Sequence, residues 1–251
     1  MKIYTYPTPI DTARALIEHI IARMEAQKDS SFHLAVSGGS TPALLFKLWA
    51  TEYSSQTPWQ QLRLYWVDER CVPASDEQSN YRMTHETLLQ AIPLTPEQIF
   101  RIQGEHRPIE EEARRYAVVV CECVPCLNNI PTFDLVLLGA GDDGHTSSVF
   151  PGQEALLTSE SAYVASNHPQ TGQPRIAMTG RPMTMAKETI FLINGKNKAS
   201  VVANMVSSEE AGPAAWVLHH ATAPSLFLDA DASSLVGDIS HRMVESAIDP
   251  S

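Results

Sequence analysis

The sequence predicts an α/β protein whose sheet is mainly parallel and covered by helices on both faces. Two observations support this prediction. Short apolar runs typical of strands alternate along the chain with longer segments that carry apolar residues at helical spacing. Hydrophobic residues make up 43% of the 251 positions, so the chain can bury a core of ordinary size.

The first half of the chain contains the clearest helix start. Thr8 is a favoured N-cap residue, Pro9 suits the first helical turn, and apolar residues continue at helical spacing as far as Met24. After this helix the sequence predicts strands at 32–36, 62–67 and 99–102, and helices at 43–48, 80–91 and 109–123.

The second half begins with an apolar run at 133–138, which is typical of a buried strand. Further strands are predicted at 163–165, 175–179, 189–193 and 225–229, with a helix starting near 195–199 and a polar helix or tail after the last strand. Because no repeat, low-complexity tract or linker interrupts this order, we expect residues 1–251 to form one Rossmann-like domain.

The overall charge excludes two classes of partner. The formal net charge is −11, from 18 basic and 29 acidic residues, whereas a general affinity for nucleic acid or an anionic membrane needs the opposite balance. No apolar run of signal-peptide length follows Met1, and none later approaches membrane-spanning length. We therefore expect a soluble cytoplasmic protein that binds neither nucleic acid nor membrane. The sequence carries no signal for the oligomeric state.

The four cysteines do not form a recognisable metal motif. Cys121, Cys123 and Cys126 lie close together, but they contain a single Cys-x-x-Cys pair without a second pair or a histidine at finger spacing. Together with Cys71, they are expected to be inert, half-buried thiols in a reducing compartment.

Three polar loops each follow the carboxyl end of a predicted strand. They are Ser37-Gly38-Gly39, Asp68-Glu69-Arg70 and the segment from Gly139 to His145. In an open parallel sheet, ligands bind at this edge. The three loops are therefore expected to form one site.

The segment Ser37-Gly38-Gly39-Ser40-Thr41-Pro42 joins a predicted strand to a predicted helix. Backbone N–H groups at a helix N-terminus, helped by hydroxyl groups, can hold a phosphate. The segment is not a Walker A loop, because no Gly-Lys-Ser/Thr follows it. The alternative interpretation is a plain turn with a Ser or Thr cap.

Single charged residues are weaker signals. Taken alone, Asp68-Glu69-Arg70 is typical of a solvated loop end, within which Glu69 is the residue most suited to a structural role. Arg175 at the head of a strand and Lys198 in the first turn of a helix are, alone, typical of surface charges. A lysine at a helix N-terminus is mildly unfavourable for the helix dipole, so Lys198 needs another reason for its place.

The glycine loop has the spacing of a dinucleotide fingerprint, Gly139-x-Gly141-x-x-Gly144. A dinucleotide fold needs a sustained helix after this loop and a carboxylate about 20 residues further on. Here Pro151-Gly152 interrupts, and no carboxylate ends the strand at 163–165. The loop instead delivers His145, a residue type suited to proton transfer at neutral pH. A capped glycine turn with a solvent-facing histidine is the alternative.

Taken together, these segments resemble the 6-phosphogluconolactonase family, within the superfamily that also contains the glucosamine-6-phosphate isomerases. Five blocks carry the resemblance in the family's order: 37–42, 67–70 with 79–81, 139–151, 174–179 and 195–199. Each block alone is a weak signal, but five in sequence are specific.

The resemblance implies hydrolysis of 6-phospho-D-glucono-1,5-lactone to 6-phosphogluconate in the oxidative pentose phosphate pathway. It also implies a small phosphorylated sugar lactone as the substrate, no cofactor and no required metal. The residues that it implies for the phosphate are Gly38, Gly39, Ser40, Thr41, Arg175 and Lys198. His145 would be the general base, Asp143 and Asp68 would orient the histidine, water or sugar hydroxyls, and Arg70 would stabilise the oxyanion.

Two positions favour this activity over the sister activity. The amino-sugar isomerases carry a glutamate five residues beyond the histidine, where this chain has Phe150, and a tyrosine in place of Arg70. A phenyl ring cannot transfer a proton, whereas a guanidinium suits an oxyanion. The alternatives that remain are an amino-sugar-6-phosphate isomerase or deaminase, and a non-catalytic sugar-phosphate sensor.

Overall fold

Strands and helices alternate almost throughout residues 1–27 and 30–236, the parts of the chain that this computed structural model describes. The first half contains β1 (Lys2–Tyr6), α1 (Pro9–Ala26), β2 (Phe32–Val36), α2 (Ser40–Glu52), β3 (Leu62–Trp66), β4 (Asp68–Arg70), α3 (Asn80–Thr87), β5 (Ile99–Phe100) and α4 (Ile109–Cys123). The second half contains β6 (Cys126–Leu127), β7 (Ile130–Pro131), β8 (Leu135–Leu138), β9 (Tyr163–Asn167), β10 (Pro174–Met178), α5 (Gly180–Met185), β11 (Thr189–Ile193), α6 (Ala199–Ser207), α7 (Pro213–His220) and β12 (Pro224–Asp229).

The centre of the molecule is a seven-stranded sheet with the strand order β1-β12-β11-β8-β2-β3-β5. Every neighbouring pair in it is parallel. All residues of β2, β8 and β11 are buried, which requires cover on both faces of the sheet. The predicted α/β class with a mainly parallel sheet is therefore confirmed. None of the helices in the described part of the chain combines the length and apolar character needed to cross a membrane.

A second, smaller sheet was not predicted. In it, β10 pairs antiparallel with both β4 and β9. The interpretation of Asp68-Glu69-Arg70 as a solvated loop end is wrong, because these residues form a strand whose first two side chains are buried. Alternation of strands and helices along the chain does not show which sheet a short strand joins, since that depends on partners more than a hundred residues away.

The element boundaries agree with the predictions in part. Thr8 does cap α1, where its side chain accepts a hydrogen bond from the Asp11 N–H. α2 begins three residues earlier than predicted, and the helix predicted at 80–91 ends at Thr87 before a short 3-10 turn. The sequence reading missed β1, the β6–β7 hairpin, α5 and α7. The polar helix or tail predicted after the last strand falls largely within residues 237–251, which lie outside the described residues.

The sheet order explains why the predicted loops meet. β2 lies between β8 and β3, and β11 lies on the other side of β8, so the segments that follow these strands leave the same edge side by side. The segment after β11 is fixed by Asp229 at the end of β12. Its carboxylate, which is 2% exposed, accepts hydrogen bonds from the Gly195 N–H at 3.0 Å and the Ala232 N–H at 2.8 Å.

We expect Asp229→Ala to lower the free energy of unfolding by about 1–3 kcal/mol, because a buried N–H group and a partly buried one lose their acceptor. Chemical denaturation measures this change. The exposed neighbour Asp231 is the matched control, and Asp231→Ala should cost less than about 0.5 kcal/mol. Equal effects of the two variants would show that Asp229 does not hold the 195–198 segment.

Candidate active site

A cavity of about 310 Å³ opens at the edge of the sheet where β2, β3 and β8 end. Six of the ten predicted site residues line it: Gly38, Asp68, Arg70, His145, Arg175 and Lys198. The structure therefore brings together residues from all three predicted loops and from two later segments.

The remaining predicted phosphate residues, Gly39, Ser40 and Thr41, line an adjoining recess of about 170 Å³. The two spaces share four residues: Gly38, Gly139, Ala140 and Lys198. Gly39 is the N-cap of α2 with a φ of +107°, and no side chain in the described part of the chain caps this helix. The Ser or Thr cap of the alternative interpretation is absent from the described residues, so the first N–H groups of α2 remain available to an anion.

Gly38 is required by its contact with Asn80. A Cβ at position 38 would lie 1.9 Å from the Asn80 Oδ1. Asn80 is itself fixed, because its Nδ2 donates to the Asp68 backbone oxygen at 2.9 Å and to the Asp68 Oδ1 at 3.2 Å. The turn after β2 thus packs directly against the start of α3.

The loop after β8 holds His145 against Asp143. The His145 Nδ1 lies 2.6 Å from the Asp143 Oδ1, and the same oxygen accepts the His145 backbone N–H at 3.1 Å. The contact requires a glycine at 141, where a Cβ would lie 2.1 Å from the His145 Nδ1 and 2.6 Å from the Asp143 Oδ1. With Nδ1 engaged by Asp143, Nε2 is the ring nitrogen left for chemistry in the cavity.

The environment of Asp143 keeps its carboxylate ionised. Burial alone raises the pKa of Asp143, but the His145 backbone N–H, the imidazole charge and the side-chain hydrogen bond together lower this pKa below its ordinary value of 3.8. A lowered folded-state pKa contributes stability above that ordinary value, and this contribution is lost as pH falls through the folded pKa. The carboxylate that orients His145 is therefore charged at neutral pH.

The chain after Gly144 turns instead of forming a helix. Gly144 has a φ of +83°, and a single β-bridge joins Thr146 and Val149. The sustained helix that a dinucleotide fingerprint needs is absent from this stretch, which the structure describes in full. Phe150, 2% exposed, lies beside the base, with its ring centroid 4.7 Å from that of His145.

Asp68 occupies a different place from Asp143. Its Oδ2 accepts a hydrogen bond of 2.5 Å from the Ser148 hydroxyl, and Asn80 holds the other oxygen. Within the described residues, it makes no hydrogen bond to His145. The two aspartates expected to orient the histidine therefore differ in position. Asp143 contacts the imidazole ring, whereas Asp68 contributes a fixed carboxylate to the cavity wall.

Glu69 anchors the strand that carries Asp68 and Arg70. It is 2% exposed, and its two oxygens accept four hydrogen bonds. The donors are the N–H groups of Arg70 (2.7 Å), Asn80 (2.8 Å) and Tyr81 (2.9 Å) and the hydroxyl of Ser79 (3.0 Å). Burial raises the pKa of Glu69, and the backbone N–H groups oppose this rise. The structural role predicted for Glu69 matches these contacts.

Arg70 and Arg175 lie side by side. They are direct partners in the antiparallel β4–β10 pair, so their side chains share one face of the small sheet. Arg175 is 9% exposed, which contradicts its interpretation as a surface charge. Burial, and then the charge of Arg70, lower the pKa of Arg175. The Nε of each arginine is buried without a hydrogen-bond partner in residues 1–27 and 30–236, so each guanidinium retains an unused donor.

Lys198 reaches the same cavity from the segment after β11. Its Nζ donates to the Ala140 backbone oxygen at 2.9 Å and pairs with the Asp142 carboxylate at 2.7 Å. The ammonium is thereby held against the loop that carries His145. This contact is a reason for a lysine at a helix start, where the dipole does not favour it.

The cavity residues to which sequence reasoning gave no role in the site include Asn80, Ser148 and His168. Asn80 and Ser148 lie within two of the blocks that carry the family resemblance, and nothing else in the sequence marks them as site residues. His168 has no local signal at all, since only the pairing of β9 with β10 brings it to the cavity.

None of the four cysteines lines the cavity. All four are free, Cys71 is buried, and Cys121, Cys123 and Cys126 are exposed, so the half-buried state expected for them is wrong. Burial raises the pKa of Cys71 to about 11 and also raises the pKa of Cys121 and Cys123. Among the residues that the structure describes, no group of three or more His, Cys, Asp or Glu side chains is placed to hold a metal ion.

Known proteins share this architecture. A family model described as glucosamine-6-phosphate isomerases/6-phosphogluconolactonase matches residues 7–226. A 6-phosphogluconolactonase of Treponema pallidum (strain Nichols) is 36% identical over 212 residues, covering 83% of this chain and 88% of that protein. One of Aggregatibacter actinomycetemcomitans is 33% identical, covering 94% of this chain and 100% of that protein. The crystal structure of a devB protein, 35% identical, has a TM-score of 0.86 and covers 93% of this chain and 98% of that one.

We expect Glu69→Gln to lower the free energy of unfolding by about 1–3 kcal/mol, because the amide group would face buried donors and leave at least one unpaired. Thermal and chemical denaturation measure this loss. Glu77→Gln, at an exposed position between β4 and α3, is the matched control and should change stability by less than about 0.5 kcal/mol. A Glu69→Gln protein as stable as the wild type would contradict the anchoring role.

Proposed function

This chain belongs to the family of glucosamine-6-phosphate isomerases and 6-phosphogluconolactonases, and we propose that it hydrolyses 6-phospho-D-glucono-1,5-lactone with His145 as the general base. The observation that carries the mechanism is the 2.6 Å contact between the His145 Nδ1 and the Asp143 Oδ1. It fixes the ring and leaves Nε2 as the basic nitrogen in a cavity that also contains two arginines.

The base acts on water. In the proposed step, the water oxygen bonds to the lactone carbonyl carbon while a water proton moves to the His145 Nε2, and the carbonyl electrons move to its oxygen. The ionised Asp143 stabilises the imidazolium that forms. Collapse of the tetrahedral intermediate breaks the bond to the ring oxygen, which takes the proton from Nε2. The carboxylic acid product then loses its own proton to solvent. Each of these transfers uses only water and side chains of this chain.

Arg70 is proposed to stabilise the oxyanion of the tetrahedral intermediate. Its Nη1 is held by the Gln78 backbone oxygen at 2.7 Å, while its buried Nε has no partner in the described part of the chain. A fixed donor in a site shielded from water stabilises developing charge without reorganisation. Asp68, held by Ser148 and Asn80, is placed to accept a hydrogen bond from a sugar hydroxyl or from the attacking water.

The phosphate is proposed to bind where the cationic side chains and the start of α2 meet. Arg175 and Lys198 line the main cavity, and the N-terminal turn of α2 lines the adjoining recess. The overall charge of −11 repels an anionic substrate, so this local positive charge has to supply the attraction. Desolvation of Arg175 beside Arg70 makes a bound anion more favourable, because it offsets the repulsion between the two guanidinium groups.

Phe150 supports hydrolysis over amino-sugar isomerisation. Its ring lies against His145, at the position where the sister enzymes carry a glutamate. A carboxylate there could exchange a proton with the substrate ring, whereas a phenyl group only packs. An assay of ammonia release from glucosamine 6-phosphate is therefore expected to give no signal above background.

The test of the proposed function is a coupled assay of freshly formed lactone, read against its spontaneous opening. We expect His145→Gln to lower the catalysed rate by about a hundred- to ten-thousandfold, since it removes the general base. His85→Gln, at a partly exposed position of α3 that does not line the cavity, is the matched control and should retain full activity. A His145→Gln enzyme with normal turnover and normal melting would refute the mechanism.

Substitutions of the two arginines should have different kinetic effects when a phosphorylated and a phosphate-free lactone are compared. We expect Arg175→Gln to raise KM about ten- to hundredfold for the phosphorylated lactone alone, because it removes a charge-assisted contact to the phosphate. Arg70→Gln should lower kcat for both lactones, since the oxyanion forms in both reactions. If the Arg70→Gln defect were confined to the phosphorylated lactone, Arg70 would belong to the phosphate site instead.

A further inference from the structure

We propose that His168 is a specificity residue that donates a hydrogen bond from its Nε2 to the substrate phosphate. The inference rests on the proposed function and deepens it. Nothing in the sequence marks His168, which stands directly after β9 in the turn that leads to β10. The partly buried ring nevertheless lines the main cavity.

The small sheet places His168 beside the arginines. Ser166 is the direct partner of Arg175, and the pairing continues through a 3.0 Å hydrogen bond from the His168 N–H to the Gln173 backbone oxygen. Residues two apart on a strand share a face, so His168 lies on the face of Ser166, diagonal to Arg175. Arg70 is the next residue across on that face. His168 and the two arginines therefore lie on the same face of the small sheet, and all three line the main cavity.

Hydrogen bonds within the turn determine which nitrogen of His168 is available. The backbone N–H groups of Gln170 and Thr171 both donate to the His168 Nδ1, at 3.3 Å each. A nitrogen that accepts these bonds carries no proton, so the proton of the neutral ring is on Nε2. His168 therefore presents a donor to the cavity, which suits an anion and does not suit proton abstraction.

Phe150 packs against both His168 and the general base. The Phe150 ring centroid lies 4.7 Å from that of His145 and 5.0 Å from that of His168. The phenyl ring thus contacts both imidazoles. In the substrate, the phosphate is on C6, and C5 and the ring oxygen separate C6 from the lactone carbonyl carbon, so the groups that bind the phosphate and the general base share one cavity. The position of His168 diagonal to Arg175, the residue proposed to bind the phosphate, assigns His168 to the phosphate.

Two substitutions each retain one of the two hydrogen-bonding functions of the imidazole, the acceptor at Nδ1 or the donor at Nε2. In His168→Asn, the side-chain oxygen can still accept the turn N–H groups as Nδ1 does, but it does not reach the cavity. In His168→Gln, the amide nitrogen reaches about as far as Nε2 and can donate to a phosphate, but the acceptor at the Nδ1 position is lost. The pair therefore distinguishes a ligand contact from a turn-stabilising role.

The experiment measures kcat and KM of both variants with the phosphorylated lactone and with phosphate-free gluconolactone. We expect His168→Asn to raise KM for the phosphorylated lactone about ten- to hundredfold, the range of a lost hydrogen bond to a charged group, with kcat nearly unchanged. The phosphate-free lactone should be unaffected, and His168→Gln should stay within a few fold of the wild type. His85→Asn, at a position that does not line the cavity, serves as the control.

Three results would overturn the proposal. They are a His168→Asn enzyme that behaves as the wild type, an equal defect with both lactones, and a defect in His168→Gln with none in His168→Asn. Calorimetric binding of 6-phosphogluconate and of gluconate gives a second readout that needs no turnover. If the wild type failed to hydrolyse the lactone, the proposed function would fall. A selective loss of 6-phosphogluconate binding in His168→Asn would still support this contact.

Discussion

The pairing of β4 with β10 places a buried positive charge where the substrate site needs one. Arg175, which is buried, can occupy its position only beside Arg70, and the two guanidinium groups then share one face of a small sheet. The charge of Asp68, two residues from Arg70 on the same strand face, opposes this repulsion in part. The opposite face of β4 carries Glu69, whose four hydrogen bonds hold the strand to the start of α3. A strand of three residues therefore presents its functional side chains on one face and its anchor on the other.

The loop after β8 shows how a glycine pattern can serve a base instead of a nucleotide. Gly141 leaves room for the contact between His145 and Asp143, which a Cβ would displace. Gly144 turns the chain, with its backbone oxygen accepting the Ala214 N–H at 2.9 Å, so the loop is braced against the start of α7. The histidine is thus held by its contact with Asp143, two residues away. The loop is held by a hydrogen bond to Ala214, which lies 70 residues further along the chain.

Most strands and helices could be predicted because each has its own apolar pattern. The elements that were missed have weak local signals. β1 is an edge strand of mixed burial, and α5 is only six residues long, so its stability comes from packing and not from its own sequence. The small sheet was missed for a different reason. The strand character of 163–165 and 175–179 was recognised, but strand pattern does not specify a pairing partner.

The sequence by itself determined the fold class, the family and six of the residues that line the cavity, because these depend on local pattern and on the order of motifs. Only the tertiary structure decided how those residues divide their work. It placed Asp143 on the histidine ring and Asp68 on the cavity wall, and it set Arg70 beside Arg175. It also brought in His168, which no motif contains. These are contacts between segments that lie far apart along the chain, and distances of that kind follow from strand pairing and packing, which a linear pattern does not encode.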